Sequence, residues 1–345
     1  MICIEARNVN DALIIGLDGL QTVGIERESR NGPVVMYPTP VSTVYFCPWE
    51  RVIFWPGRDA NPFLHFFESL WMLGGRKDLA YLELFTQNMR QFSDDGETLN
   101  GAYGWRWRHH FEQDQILWAI ERLKKNPDDR RVHISMWDPR YDVEGAAKSK
   151  DVPCNVSLTL QLSHHGHLEL VVFNRSNDII WGAYGANVVH FSFMHQFVAE
   201  AIGVPVGNYW QVSANFHAYR KVLDSLLLNL PADARHQSCP YKKGEVQTFG
   251  PLISTNHKTF LEDLSVFLDE GPIIGFREPF FRKVATPLWS AHRAYKENID
   301  KEKYTVPLEI LQQCKATDWR KAAEEWIQRR AKIAGYPLEK QSWMT

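Results

Sequence analysis

The chain has 345 residues, a formal net charge of −2 and 44% hydrophobic residues, enough for a large core in one big domain or two smaller ones. The near-neutral balance argues against a broad nucleic-acid or membrane-binding face, so an anionic ligand would have to be met by a few placed arginines. Five scattered cysteines without a CxxC pair, no apolar stretch of signal-peptide length after Met1 and no run of about 18 apolar residues point to a soluble protein of the reducing cytoplasm.

In chain order, β-branched and aromatic residues with Gly and Pro punctuation predict short strands at 11–16, 21–27 and 42–46. The turn Glu28-Ser-Arg-Asn-Gly32 carries Arg30 at its tip. A first helix is expected to open after Asn61-Pro62, with Phe63, Phe66, Phe67 and Leu70 on its apolar face. Glu68 sits among Leu64, Trp71 and Met72 at helical spacing. A carboxylate drawn into such a face costs several kcal/mol unless it is paired or protonated, so a chemical use competes evenly with a place at the rim. Residues 78–89 read as a second helix, 93–96 as a turn, and Asn100-Gly-Ala-Tyr-Gly-Trp-Arg-Trp-Arg108 as a loop against a small ligand. Ile116, Leu117, Ile120 and Leu123 mark a third helix, followed by a strand over 128–137 that opens on Arg130-Arg131. Two adjacent guanidiniums do little for stability there but suit a phosphate dianion.

The stretch Asp151-Val-Pro-Cys-Asn155 leads into a cleanly alternating strand, 156–162, which would hold the Cys154 thiol at its entry point. A buried free cysteine is the bland alternative. Ser163-His-His-Gly-His167 is a hairpin tip, where wet histidines without cysteine or carboxylate partners argue against a metal. The return strand, 168–173, delivers Asn174-Arg-Ser-Asn-Asp178; an amphipathic helix over 188–202 and a strand over 208–220 with His217 and Tyr219 on one face follow. Helices at 221–229, 260–268 and 317–334 complete the chain, with no repeat or low-complexity linker. Taken together, a proline-preceded thiol near Arg175, a phosphate-suited set of Arg130, Arg131, Arg175 and Ser176, an amide at Asn187 and the pair His217 and Tyr219 describe a nucleotide site with a covalent nucleophile.

Pro153-Cys154, Asn174-Arg-Ser-Asn-Asp178, Gly182, Asn187 and His217-Ala-Tyr219 resemble the signature of the thymidylate synthase and pyrimidine hydroxymethylase family, and Phe67-Glu68-Ser-Leu-Trp71, Tyr103-Gly104 and Arg130-Arg131 resemble its earlier motifs. Order and spacing agree over residues 60–220, apart from one extra residue in the hairpin and one between Gly182 and Asn187. The resemblance implies an α+β fold on a large twisted mixed sheet flanked by helices, with a catalytic domain over 1–285, a helical extension over 286–345, and a homodimer. It implies that Cys154 adds to C6 of a pyrimidine deoxynucleoside monophosphate, activating C5 toward 5,10-methylenetetrahydrofolate. Glu68 and Tyr103 would manage protons, and Asp178 would hold the pterin. Arg175 and Ser176, with Arg130 and Arg131 of the other chain and Arg30 of a mobile N-terminal loop, would bind the phosphate. His217 and Tyr219 would take the sugar, and no DNA binding is implied.

Departures from the family pattern bear on base and product. Asn187 favours uracil over cytosine, although the inserted residue leaves Ala186 as an alternative occupant of that position. Where synthases shield the site with tryptophans, residues 84–93 have none and place Arg90 near the expected position. Asn155 stands where synthases have histidine, and Gln341-Ser-Trp-Met-Thr345 replaces their short apolar tail. All three favour water over hydride, hence hydroxymethylation of dUMP. Thymidylate synthesis, a dCMP or CMP hydroxymethylase, and an inactive nucleotide- or RNA-binding homologue are the alternatives.

Overall fold

A computed structural model describes residues 1–145, 148–336 and 338; the tail expected to bear on site closure, 341–345, lies outside them. The chain runs through β1 (Ile2–Ala6), α1 (Val9–Val23), β2 (Ile25–Arg27), β3 (Val34–Met36), β4 (Val41–Tyr45), α2 (Pro62–Leu73), α3 (Leu79–Glu83) and α4 (Tyr103–Arg108). It continues with α5 (Gln115–Lys125), β5 (His133–Ser135), α6 (Pro139–Gly145), β6 (Asn155–Leu162), β7 (Leu168–Asn174), β8 (Asn177–Asp178), α7 (Asn187–Ile202), β9 (Val206–Ser213) and β10 (Phe216–Tyr219). The remaining helices are α8 (Arg220–Asn229), α9 (His257–Glu270), α10 (Thr286–Glu297), α11 (Glu302–Leu311) and α12 (Thr317–Ile333).

Among the described residues, six strands form one mixed sheet in the order β1-β4-β9-β7-β6-β5, and four form a second, β2-β3-β10-β8. The hairpin of β6 and β7 pairs Leu162 with Leu168, and Ser163 N–H donates to the His167 carbonyl at 2.8 Å. The two sheets meet the site at adjacent strand ends. Ala214 N–H donates to the Asn174 carbonyl at 2.9 Å, and Asn177 N–H donates to the Asn215 carbonyl at 2.8 Å. The α+β class expected from the resemblance is observed.

Every residue from Asn187 to Ala199 is buried, so α7 is a central helix and not the surface helix that a single apolar stripe would make. Helix α2 packs on it and carries an aromatic stack to the C-terminal helices: Phe66 lies 5.1 Å from Trp319, and Phe63 lies 5.7 Å from Trp326. These edge-to-face pairs join α12 to the same apolar cluster as α2 and α7.

Several local expectations are corrected. Residues 11–16 are helical, because Asn8 caps α1 through the Asn10 N–H and Leu13, Leu17 and Leu20 bury at helical spacing. The strand expected at 21–27 therefore shrinks to β2. The helix expected over 78–89 stops at Glu83, and Thr86 Oγ1 accepts from Asn88 N–H to open a separate 3-10 turn. Residues 100–108 are partly helical, as α4. Arg130 and Arg131 precede β5, because Asp129 captures the Arg131 N–H in a turn. The strand expected at 208–220 divides into β9 and β10, one in each sheet.

Candidate active site

Cys154 stands at the entry to β6, beside an irregularity. Met136 N–H and Trp137 N–H both donate to the Val156 carbonyl, and the register with β7 shifts between Asn155 and Ser157. Such bulges re-aim the side chains beside them. Arg175, just past β7, reaches back across this corner. Its Nε donates to the Pro153 carbonyl and its Nη2 to the Val152 carbonyl, both at 3.0 Å, and Nη2 lies 3.8 Å from Cys154 Sγ. Burial pushes the thiol up; the Arg175 guanidinium, and Arg30 beyond it, pull the other way, while Asp151 adds to the rise. The thiol is thus desolvated, with burial outweighing the opposing pull of the guanidinium beside it.

A cavity of ≈ 790 Å³ opens in front of it, lined by Arg30, Trp137, Arg175, Ser176, His217 and Tyr219 among others. Register places His217 and Tyr219 on one face of β10, with His217 Nδ1 2.9 Å from Asn215 Oδ1 and Tyr219 Oη accepting from Asn31 Nδ2 at 3.4 Å. Arg130 and Arg131 do not join them. Both are exposed, Arg131 is paired with Asp129 at 3.1 Å, and neither lines this cavity.

Behind the thiol runs a line of amides. Asn155 Nδ2 donates to Asn187 Oδ1 at 3.4 Å, Asn187 Nδ2 donates to Asn177 Oδ1 at 3.1 Å, and Asn177 Nδ2 donates to Ser213 Oγ at 3.1 Å. Gly182 leaves room for it, since a Cβ there would stand 2.7 Å from Asn177 Oδ1. Tyr103 Oη accepts the Asn155 N–H at 3.4 Å, and burial pushes its phenol well above the ordinary range. Gly104 lets α4 lie directly on the end of α2: an added Cβ would fall 1.9 Å from the Met72 carbonyl oxygen.

A second cavity of ≈ 1200 Å³ shares Arg30 and Tyr219 with the first. Its walls come from distant segments: His65 and Glu68 of α2, Asp178 and Trp181, and Trp326 and Arg330 of α12. Asp178 caps a π-helical segment, Ile179–Ala186, through Oδ1, which accepts from Ile180 N–H at 2.9 Å and Trp181 N–H at 2.5 Å; its Oδ2 is buried with no well-aligned hydrogen-bond partner among the described residues. Burial pushes this carboxyl above the usual range, against the pull of the Trp181 N–H and of His217. Arg58 is buried, donates Nε to the Ile180 carbonyl at 2.9 Å and lies 4.4 Å over the Trp181 ring; burial lowers its guanidinium to about 10. Glu68 Oε2 lies 3.2 Å from His190 Nε2. Ala186 lines this cavity, whereas Asn187 is held in the amide line.

Residues 63–245 match the thymidylate synthase family model. The chain belongs to that family. It is 49% identical over 335 residues to the deoxyuridylate hydroxymethyltransferase of Pseudomonas phage M6, covering 96% of this chain and 95% of that protein. The protein of the same name from Bacillus phage SP01 is 34% identical over 247 residues, 69% of this chain and 60% of its own. A putative thymidylate synthase of Methanothermobacter marburgensis is 37% identical over 145 residues, 42% of this chain and 60% of its own.

Among members of this family, the segment after α3 is where synthases place shielding tryptophans. Here Thr86, Asn88 and Gln91 face the larger cavity together with Met89 and Phe92. Arg90 does not: it turns outward and binds Glu83 through Nε at 2.6 Å and Nη2 at 2.9 Å. The expected place of Arg90 in this wall is taken by its polar neighbours. Sequence reasoning also passed over Arg58, Trp181, His190, Trp326 and Arg330. Trp181 carried a signal, three residues after Asp178; the pair on α12 carried none, because only folding brings it to the site.

Proposed function

We propose that this chain converts dUMP to 5-hydroxymethyl-dUMP, with 5,10-methylenetetrahydrofolate as the one-carbon donor. The observation that carries the reading is the polar wall of Thr86, Asn88 and Gln91 in the cavity next to the Cys154 site, which leaves water a place where synthases exclude it. The name of the phage M6 relative, matched along nearly its whole length, supports the base and the product.

Arg175, Ser176 and Arg30 converge on the cavity where the 5′-phosphate would sit. Arg130 and Arg131 of a second copy would complete its charge balance, which accounts for exposed arginines that do not reach their own chain's cavity. His217 and Tyr219 take the sugar hydroxyl. Each amide atom of Asn187 spends one bonding position on the amide line, which leaves one donor and one acceptor for the uracil edge. The Cys154 thiolate, stabilised by Arg175, adds to C6 and makes C5 nucleophilic.

The donor fits the second cavity on three counts: its size, the unpartnered Asp178 Oδ2 as acceptor for a ring N–H, and the flat Trp181–Arg58 platform. When bound, it supplies a carbon at the oxidation level of formaldehyde. Glu68 and Tyr103 hold and move protons at C5 and at the attacking water. The C–S bond to Cys154 then breaks as the ring double bond is restored.

Incubation with dUMP and methylenetetrahydrofolate should give a product one oxygen heavier than dTMP, with tetrahydrofolate left over. A methyl product with stoichiometric dihydrofolate would make the chain a synthase instead. Parallel reactions with dCMP and CMP decide the base and the sugar.

A further inference from the structure

Helix α7 presents two polar side chains three residues apart, Asn187 and His190, to the same region. The first joins the amide line behind Cys154, and the second meets Glu68 of α2. His190 is 3% exposed and Glu68 9%. Their facing atoms, Nε2 and Oε2, are buried 3.2 Å apart, and neither has any other hydrogen-bond partner among the described residues. Two buried polar atoms left unsatisfied each forfeit their hydration without a compensating bond. The alignment between them falls short of a hydrogen bond here, the state in which catalytic contacts often rest before ligands tighten them. A second imidazole, His65, lies one turn earlier on α2 and lines the larger cavity, where burial, Arg58 and His190 hold it well below the ordinary imidazole range; the ring that faces Glu68 Oε2 is that of His190.

We propose that His190 is a positioning residue for Glu68 in the water-capture step. Donation from Nε2–H to Oε2 fixes one carboxylate oxygen and turns the other, Oε1, toward the polar wall of the cavity. In that step a water O–H bond breaks and a C–O bond forms at the exocyclic methylene on C5, the methylene π electrons pass into the ring enolate, and the water proton ends on Glu68 Oε1. Collapse of the enolate then expels the Cys154 thiolate, so no oxidant or reductant is needed. This inference rests on the hydroxymethylase reading for the step it serves, but the pairing can be tested without turnover.

Two variants separate positioning from packing: His190→Leu removes the donor at similar volume, and His190→Gln retains an N–H donor. Loss of the donor should lower kcat on the order of 10–100-fold, with KM for dUMP within about twofold of the parent, and His190→Gln should recover most of that rate. Nitrogen-15 spectra of histidine-labelled protein, recorded without substrate or donor, should show His190 as the Nε2–H tautomer, with its signal moving on Glu68→Gln. A leucine variant at parental rate, a glutamine variant as slow as leucine, a loss confined to KM, or the Nδ1–H tautomer would each overturn the proposal. Should His190→Leu fail to fold, His190→Asn takes its place, because its shorter amide draws the N–H away from Oε2 and should lose rate likewise. If the parent makes no hydroxymethyl-dUMP yet the nitrogen spectra are as described, the reaction assignment fails and the pairing stands.

Discussion

The two cavities are built in opposite ways. The one at Cys154 draws its chemistry from strands of both sheets: Arg175 and Ser176 follow β7 of the first, and His217 and Tyr219 sit on β10 of the second. It is a cationic, hydrogen-bonding pocket whose geometry is set by sheet register. The larger one is assembled from α2, the 86–92 segment, the π-helical segment and α12, with aromatic and polar groups interleaved. On the function proposed above, the first would decide what is attacked, and the second what captures the carbon. A chemical outcome can therefore change by altering one wall while the nucleophile's surroundings stay the same.

The sharpest test removes the proposed nucleophile itself. Cys154→Ser should lower turnover on the order of 10³-fold or more while dUMP binding by calorimetry stays near parental, because the phosphate and sugar contacts are untouched. Turnover close to parental would end the covalent mechanism. A smaller effect is expected from the second cavity. Asn88→Trp, which replaces a polar wall residue with a shielding ring, should reduce the ratio of hydroxymethyl to methyl product roughly tenfold, read by mass spectrometry. An unchanged ratio would detach the product outcome from that wall.

The smallest effect concerns stability. Burial raises the Asp178 carboxyl, so the folded state holds its proton more tightly than the unfolded chain does. Its stabilising contribution is complete below the unfolded value and is lost as pH rises through the folded one. Asp178→Asn keeps the Oδ1 cap but removes this titration. Its Tm relative to the parent should climb, on the order of 1–2 °C, as pH rises from the ordinary carboxylate range toward neutrality. A difference flat in pH would mean that the carboxyl is not desolvated.

The first cavity was legible because its residues lie in short motifs with rigid spacing. A strand that begins at Asn155, a return at Leu168 and a His-x-Tyr alternation leave few ways to arrange Cys154, Arg175 and His217. Glu68 was visible as a carboxylate out of place on an apolar face, and it is indeed buried. Secondary structure failed where local propensity met tertiary context: Ile14 and Ile15 suggested a strand, but a capped helix buries Leu13 and Leu17 better. The second cavity was mostly illegible for a physical reason. Trp326 and Arg330 reach it only because the aromatic stack on α2 docks α12, and Arg329 Nε at 3.0 Å with Arg330 Nη2 at 2.6 Å clamps Asp59 beside Arg58. No spacing within α12 announces that.

One contact sets the spacing of the two groups proposed to handle protons. At Gly104 the backbone of α4 rests on the Met72 carbonyl, one turn beyond Glu68, with no side chain between. The separation of the Tyr103 hydroxyl from the Glu68 carboxylate is thus gauged by main chain on main chain. A single methyl at residue 104 would shim the two helices apart and lift Tyr103 off the Asn155 N–H.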